Sequence, residues 1–310
     1  MISLQDWRNG AGIFAHGDWP VVTRTGGNPA GPALLMIHGF PTSSWDWNRL
    51  WDALAANFSL YTLDMLGFGD SPKPRRFRYR IADQADLLES WLNLQGVGEY
   101  HILAHDYGDT VAQELLARDA ERRAGVRPED DTGLRIASAC LLNGGLFPES
   151  HRAAGIQKLL LSPLGPLVAR YSNRDRLAEN MQRIFGPQTQ PSEEEIDNFW
   201  KLLQWRGGRR VMHRLIRYMP ERKRHRARWV GALCETQVPI KLINGLHDPI
   251  SGAHMVDRYR QLVPEPDITG LEGIGHYPQL EAPQAVLDAF RAFMHRHDFA
   301  RYPAQVLAGA

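Results

Sequence analysis

The sequence predicts an α/β fold with a mostly parallel, doubly wound sheet and an inserted helical cap. Short runs rich in Val, Ile and Leu recur along the chain, bounded by Gly, Pro and Asp, and helical patterns separate several of them. Strands that alternate with helices imply a parallel sheet covered on both faces. The predicted strands are ALLMIHG (33–39), FSLYTLD (58–64), EYHILAHD (99–106), IASACLLNGG (136–145) and VPIKLINGLHD (238–248), and the clearest predicted helices are residues 81–94 and 110–123.

The alternation of strands and helices stops between about residues 146 and 230. Helix-like segments rich in Trp and Arg occupy this part of the chain, and none of them has a convincing strand pattern. We interpret residues 147–230 as a helical cap, inserted into a core that residues 1–146 and 231–310 form together.

Two segments of the predicted cap have an unusual composition. The apolar segment 158–171 is broken by Pro163 and Pro166, so it suits a lid over a pocket better than a membrane span. The segment ERKRHRAR (221–228) is strongly basic, which is typical of a solvated helix face. An anion-binding role for this basic segment stays open as the alternative.

Composition favours a globular enzyme or receptor with a small partner. Hydrophobic residues make up 43% of the 310 residues, enough for a sizeable core, and 36 Lys and Arg balance 35 Asp and Glu. We therefore expect neither nucleic acid nor an anionic membrane as the main partner, and instead a small hydrophobic substrate and water. Cys140 and Cys234 suggest no disulfide framework. With no basic leader and no apolar run of roughly 18 residues, we expect a cytoplasmic protein without an integral membrane segment.

The turn after the predicted strand at 99–106 places an acidic residue where a nucleophile would stand. In LAHDYGDT a small residue precedes Asp106 by two positions, and Gly108 follows it by two. This pattern is typical of a nucleophile elbow, a strained turn that presents its central side chain at the top of the sheet. The backbone N–H of Tyr107 would donate to an oxyanion hole, and Phe40 in HGFPTSS is the candidate for the second donor.

An acid and a histidine follow this turn in the chain order that a nucleophile elbow requires. Asp248 ends a predicted strand, and His276 lies in GIGHYPQLEAP after another short apolar stretch. An Asp before a Pro is commonly a turn former, and a lone His in a Gly-rich loop is commonly a surface residue. Their conjunction with Asp106, in the expected order, predicts a catalytic triad.

The other histidines near these motifs have different expected roles. We interpret His105, His247 and His254 as structural residues, and we assign His38 of the HGFP motif to substrate binding. Nothing in the sequence resembles a metal-ligand spacing, so we expect neither a metal nor another cofactor.

Five motifs together resemble the α/β-hydrolase superfamily, namely HGFP, GFGDS, AHDYGDT, GLHDP and GHYPQLE. The resemblance covers nearly the whole chain and is strongest to the branch of epoxide hydrolases and haloalkane dehalogenases, which use an aspartate nucleophile. The segments HGFPTSSWDW, HDYGDTVAQELLAR, NGGLFPESHR and RWVGAL are also similar to the mesoderm-specific transcript protein group. The resemblance implies an α/β-hydrolase fold and a hydrolase with an Asp106, Asp248 and His276 triad, and it leaves the substrate open.

An aspartate nucleophile suits substitution at a saturated carbon. A serine that attacked such a carbon would form an ether, which the enzyme could not hydrolyse. Asp106 would instead form an alkyl ester, whose carbonyl carbon can be attacked by water that His276 activates. Asp248 would orient His276 and stabilise its imidazolium form. The N–H groups of Phe40 and Tyr107 would meet the charge that builds on the carbonyl oxygen.

The cap should supply the donor that stabilises the leaving group. An epoxide leaves as an alkoxide and needs a proton donor, whereas a halide needs only N–H donors. Tyr218 lies in a context that resembles the cap tyrosine of epoxide hydrolases, and Tyr171 is the candidate for a second phenol.

Haloalkane dehalogenases typically have Trp after the nucleophile and a polar residue after the HG pair, where this chain has Tyr107 and Phe40. Trp is also usual after the nucleophile of epoxide hydrolases, so Tyr107 departs from both groups. Trp200 or Trp205 of the predicted cap could supply an indole N–H to a halide, and we assign Trp205 to substrate binding.

The sequence therefore predicts an epoxide hydrolase that forms a diol, with two alternatives. A haloalkane dehalogenase would use the same triad and release a halide. A non-catalytic module would use the capped pocket to bind a small ligand or a partner protein, although a pure receptor has no need of all three triad residues. Substrate size, stereochemistry and oligomeric state do not follow from the sequence.

Overall fold

An eight-stranded sheet lies at the centre of the computed structural model, which describes residues 1–127 and 131–299. The strands are β1 (Gly12–His16), β2 (Trp19–Gly27), β3 (Ala33–Ile37), β4 (Ser59–Leu63), β5 (Glu99–His105), β6 (Arg135–Leu142), β7 (Ile240–Gly245) and β8 (Asp267–Leu271). Their order across the sheet is β1-β2-β4-β3-β5-β6-β7-β8. β2 pairs antiparallel with β1 and with β4, and the other neighbouring strands are parallel.

Helices connect the strands and fill the region between β6 and β7. They are α1 (Leu4–Asn9), α2 (Trp51–Ala55), α3 (Ile81–Leu94), α4 (Tyr107–Arg123), α5 (Gly155–Leu161), α6 (Gly165–Arg170), α7 (Arg174–Ile184), α8 (Glu193–Gln204), α9 (Met212–Leu215), α10 (Tyr218–Arg224), α11 (Arg226–Glu235), α12 (Ala253–Leu262), α13 (Pro278–Glu281) and α14 (Pro283–Arg296), with 3₁₀ turns at Ser44–Trp47 and Trp205–Val211. None of the helices in the described part of the chain has both the length and the apolar character that a membrane crossing requires.

The predicted α/β fold is confirmed. The five predicted strands correspond to β3, β4, β5, β6 and β7, and the two predicted helices correspond to α3 and α4. Most residues of β3, β5, β6 and β7 are buried, because parallel strands covered on both faces read as continuous apolar runs. The strands β1, β2 and β8 were not predicted, since their residues are largely half-buried or exposed and lack such runs.

The parallel arrangement brings distant parts of the sequence together at one edge of the sheet. The loops that follow β3, β5, β6, β7 and β8 all leave from the carboxyl ends of their strands, which is where open α/β sheets bind ligands. Each predicted triad residue lies in or just after one of these loops. The order and direction of the strands therefore bring the three predicted triad residues to the same edge of the sheet.

Between β6 and β7 the chain forms α5 to α11 without a strand, as expected for a cap. The predicted boundary at residue 230 needs a correction, because it cuts the continuous helix α11. This helix packs on α4 of the core, where Glu114 accepts hydrogen bonds from the Trp229 indole at 2.7 Å and from Arg228 Nε at 2.8 Å. We propose that the cap ends before α11. Residues 300–310 of the predicted core lie outside the described residues.

Candidate active site

Asp106 lies in the turn between β5 and α4, where an unusual backbone conformation presents its side chain. Its φ of 49° and ψ of −106° are rare for a residue with a side chain. The turn also needs glycines as neighbours. A Cβ atom on Gly108 would lie 2.3 Å from the Ile37 carbonyl oxygen, and one on Gly39 would lie 2.6 Å from Nδ1 of His105. This geometry is that of a nucleophile elbow.

The Asp106 carboxylate is buried and has its two oxygens in different surroundings. Oδ2 accepts a hydrogen bond from the backbone N–H of Phe40 at 3.0 Å. Oδ1 lies 3.9 Å from Nε2 of His276. Among residues 1–127 and 131–299, no Lys or Arg forms an ion pair with this carboxylate. One oxygen thus accepts a backbone N–H, and the other faces the His276 imidazole without a Lys or Arg partner in the described residues.

His276 is oriented by a chain of hydrogen bonds. Its Nδ1 donates to Oδ2 of Asp248 at 2.7 Å, so that Nε2 faces the nucleophile. The same Asp248 oxygen accepts from Nδ2 of Asn143 at 3.0 Å and from the Ser251 hydroxyl at 2.8 Å, and Oδ1 accepts from the Ile250 N–H at 2.8 Å. These bonds fix the Asp248 carboxylate, and the carboxylate fixes the imidazole ring.

The charges of the triad strongly affect one another. Burial alone would lower the pKa of His276, but the carboxylates of Asp248 and Asp106 outweigh burial and raise it to about 9. Burial would raise the pKa of Asp248, but the His276 charge and hydrogen bond outweigh it and hold the pKa at about 2. Burial raises the pKa of Asp106, although His276 and the Phe40 N–H oppose this effect. Loss of charge at Asp106 would therefore lower the pKa of His276.

Tyr218 at the start of α10 brings a phenol from the cap to the nucleophile. Its ring is fully buried, with its centre 4.8 Å from that of Tyr107 and 6.4 Å from that of Phe40. No described residue makes a hydrogen bond of ordinary geometry with its hydroxyl group. Burial and the Asp106 carboxylate raise the pKa of Tyr218 well above its ordinary value, so the phenol keeps its proton. The phenol is thus an available hydrogen-bond donor beside the carboxylate.

Arg222 is a residue of the site that the sequence reasoning missed. Its guanidinium lies 4.8 Å from the centre of the Tyr218 ring, and Nη1 donates to the carbonyl oxygen of Gly145. It is only 2% exposed, so the interpretation of residues 221–228 as a solvated face is wrong at this position. Its charge opposes the rise in pKa of both Asp106 and Tyr218. The spacing of four residues from Tyr218 would have predicted a shared helix face.

Two predicted site residues lie elsewhere. Tyr171 is 63% exposed at the end of α6, and Trp205 is 44% exposed, with the Arg8 guanidinium 5.6 Å from its ring centre. Both side chains are exposed to solvent, whereas Asp106 is buried. The assignment of Tyr171 to catalysis and that of Trp205 to substrate binding are therefore corrected.

His38 is also placed differently from its predicted role. It is buried beneath the loop that carries Phe40, where Nε2 accepts from the Met65 N–H at 3.1 Å and Nδ1 donates to the Gly39 carbonyl at 2.9 Å. Both ring nitrogens are thus occupied, and burial lowers the pKa of His38, so the ring stays neutral. His38 supports the oxyanion loop and has no nitrogen left for a substrate.

Asn143 is a second residue that the sequence reasoning missed. It follows β6 with a φ of 45°, a conformation that Asn adopts more readily than most residues. Besides Asp248, its amide binds the backbone N–H and carbonyl of Gly245. The Asn-Gly-Gly sequence after a predicted strand was the available signal for such a turn. No pattern in the sequence indicated that Asn143 would contact Asp248, which lies more than 100 positions later in the chain.

The fold and this geometry define the class of the protein. The chain belongs to the α/β-hydrolase family, which it matches over residues 34–289. It is 38% identical over 302 residues to the mesoderm-specific transcript protein of Mus musculus, covering 94% of this chain and 88% of the mouse protein. It is also 38% identical over 287 residues to the putative hydrolase LipZ of Mycobacterium tuberculosis (strain ATCC 25618 / H37Rv), covering 93% of this chain and 96% of LipZ.

Solved structures of two enzyme types share the fold. The haloalkane dehalogenase DbeA from Bradyrhizobium elkani USDA94 superimposes with a TM-score of 0.77 at 19% identity, covering 93% of this chain and 98% of DbeA. The epoxide hydrolase CorEH superimposes with a TM-score of 0.75 at 17% identity, covering 92% of this chain and 98% of CorEH. At such low identity the likeness shows the fold alone.

The coupling between His276 and Asp248 leads to a test that needs no substrate. The substitution Asp248→Asn removes the charge that most raises the pKa of His276, so we expect this pKa to fall clearly below about 9. Imidazole resonances followed by NMR during a pH titration measure the change. Asp257→Asn, an exposed substitution on α12, is the control and should leave the titration of His276 as it is. An unchanged pKa in Asp248→Asn would contradict the described coupling.

Proposed function

We propose that this protein hydrolyses epoxides to diols through an alkyl ester on Asp106. The observation that carries the proposal is the state of the Asp106 carboxylate. It is buried without a Lys or Arg ion-pair partner among the described residues, Oδ2 is held by the Phe40 N–H, and a protonated Tyr218 phenol lies beside it. A carboxylate kept available in this way suits attack on carbon better than a structural role.

In the first half-reaction Oδ1 of Asp106 attacks a ring carbon and the carbon–oxygen bond of the epoxide breaks. The electron pair moves to the ring oxygen, which takes a proton from Tyr218. The Asp106 charge contributes to the raised pKa of this phenol, and ester formation removes that charge. Tyr218 therefore becomes a stronger acid at the moment when the alkoxide forms.

Ester formation also prepares His276 for the second half-reaction. The Asp106 charge helps to raise the pKa of His276 to about 9, so the imidazole is protonated in the free protein at neutral pH. When the ester forms, this pKa falls, and the proton released from His276 restores the Tyr218 phenol. The neutral imidazole is then able to act as a general base.

In the second half-reaction His276 takes a proton from water, which attacks the ester carbonyl carbon. The developing charge lies on Oδ2, where the Phe40 N–H is already bound and the Tyr107 N–H also favours negative charge. Loss of one such donor typically raises the barrier by about 2.7–4 kcal/mol. The alkoxide then leaves with the proton held by His276, and the remaining proton of the Asp106 carboxyl returns to the imidazole.

Tyr218 favours an epoxide over a halide as the substrate. It supplies an O–H to an oxygen leaving group, whereas Trp205, one of the two indoles predicted to donate to a halide, is 44% exposed. The resemblance to epoxide hydrolases implies two phenols, and Tyr171 is not the second one. Arg222 over the Tyr218 ring supports the remaining phenol, because its charge favours the phenolate form.

Epoxide turnover is the direct test of this function. Incubation with styrene oxide and aliphatic epoxides should give diols, and Tyr218→Phe should lower kcat/KM about 10²–10⁴-fold because it removes the proton donor. Tyr171→Phe is the matched control and should behave like the unmodified protein, since its side chain is on the surface. Halide release from haloalkanes without diol formation would replace the proposal with a dehalogenase. No turnover of either class would favour a binding protein.

The ester intermediate is tested separately. In His276→Gln the alkylation step remains while water is no longer activated, so an adduct should accumulate on incubation with an epoxide. Peptide mapping by mass spectrometry should locate the added mass at Asp106. The double variant Asp106→Ala with His276→Gln should acquire no adduct. An adduct at another residue, or none in His276→Gln while the unmodified protein forms diols, would contradict the covalent mechanism.

A further inference from the structure

The outer surface of the cap exposes large apolar side chains close together in the chain. Leu159, Leu164, Leu167 and Tyr171 are between 43% and 63% exposed, although they lie within the single apolar segment 158–171. We call these four residues the apolar surface. Clustered exposure of this kind indicates a contact with another molecule or with lipid, unlike single exposed apolar residues.

The local structure explains why these residues cannot turn inward. The prolines of this segment divide it into the short helices α5 and α6. Leu160 and Ala169 are buried on the inner side of the two helices, so the residues of the apolar surface are left on the outer side. The segment also has no acidic residue, and its only charged residues are Lys158 and Arg170.

A strongly basic cavity adjoins the apolar surface. It has a volume of about 410 Å³, and Tyr171 belongs both to its lining and to the apolar surface. No acidic residue lines it. Its arginines are Arg75, Arg170, Arg206, Arg209 and Arg210. It shares no residue with the site around Asp106.

The charges of this cavity are largely uncompensated. Arg75, Arg170, Arg206 and Arg210 form no ion pair with any residue in the two described ranges, and Arg209 donates to the Ser172 carbonyl oxygen at 2.7 Å. Because the whole chain has a net charge of only +1, this concentration of positive charge is local. Clustered like charges repel one another, so their proximity is most favourable when an anion lies among them.

We propose that the apolar surface and the arginine cavity together dock the cap on an anionic lipid bilayer. The arginines would bind lipid phosphates, while the leucines enter the boundary between headgroups and acyl chains, where aromatic side chains such as Tyr171 also lie favourably. Nucleic acid or an acidic protein would match the arginines but would leave the leucines without a partner. This proposal does not depend on the chemistry proposed for Asp106.

Vesicle flotation tests the docking surface with the complete chain. The protein should float with vesicles of phosphatidylcholine and phosphatidylglycerol, much less with phosphatidylcholine alone, and less at high salt. Arg206→Gln with Arg210→Gln should weaken binding roughly 30-fold. The control, Lys223→Gln with Arg224→Gln, removes equal charge from exposed positions outside the cavity and should bind like the unmodified protein.

A second pair of variants tests the apolar contribution. Leu164→Ser with Leu167→Ser should weaken binding about tenfold or more, because two side chains no longer enter the bilayer. The control is Ile13→Ser with Leu94→Ser. These two apolar side chains are each 67% exposed but lie outside the cap, so their replacement should not change vesicle binding. Unchanged melting temperatures and unchanged far-ultraviolet circular dichroism spectra show that the variants are folded.

Several outcomes would overturn the proposal. Equal binding to neutral and anionic vesicles would exclude recognition by the arginines. An equal loss of vesicle binding in the Arg206 and Arg210 variant and in the Lys223 and Arg224 control would show that binding depends on net charge and not on the cavity. Displacement from vesicles by inorganic phosphate would identify a site for a free anion, and tighter binding to duplex DNA than to vesicles would identify a different partner.

Discussion

The negative charge on Asp106 is the interaction on which the rest of the site depends. It helps to raise the pKa of His276 to about 9 and raises that of Tyr218 above its ordinary range. In the proposed mechanism, formation of an ester removes this charge, so both pKa values fall in the same step. The phenol becomes a better acid when an alkoxide needs a proton, and the imidazole loses the proton that would prevent it from activating water. A neutral serine at the same position would provide no such change of charge, and this is a physical reason for an acid at the elbow.

The architecture keeps this charge buried without a Lys or Arg ion pair among the described residues. The elbow and the loop after β3 supply backbone N–H groups. These donors stabilise the negative charge without carrying a formal positive charge. The cap adds a phenol from Tyr218 and a buried guanidinium from Arg222 on one face of α10. Its opposite side carries the apolar surface and the arginine cavity. We therefore propose that the two sides of the cap have different roles, chemistry on the inner side and contact with lipid on the outer side.

Much of the fold and the triad could be predicted from the sequence because both depend on local patterns. Buried parallel strands are continuous apolar runs, and the elbow requires small residues around Asp106. The positions of Tyr171, Trp205 and Arg222 depend instead on how the cap helices pack, and nearby residues in the sequence do not determine this packing. A tyrosine at the end of an apolar segment looks the same whether the segment faces inward or outward. His38 was assigned a role by its motif, but the distant Met65 N–H occupies one of its ring nitrogens.

The central claim is that Asp106, and not water, forms the new bond to the substrate carbon. A single turnover of an epoxide in water enriched in oxygen-18, with the protein in excess over substrate, tests it most directly. The account predicts that the heavy oxygen enters the Asp106 carboxylate, measured by mass spectrometry of the peptide that contains it, while the diol carries an ordinary oxygen taken from Asp106. Heavy oxygen in the diol together with an unlabelled Asp106 would show direct attack by water and would contradict the account.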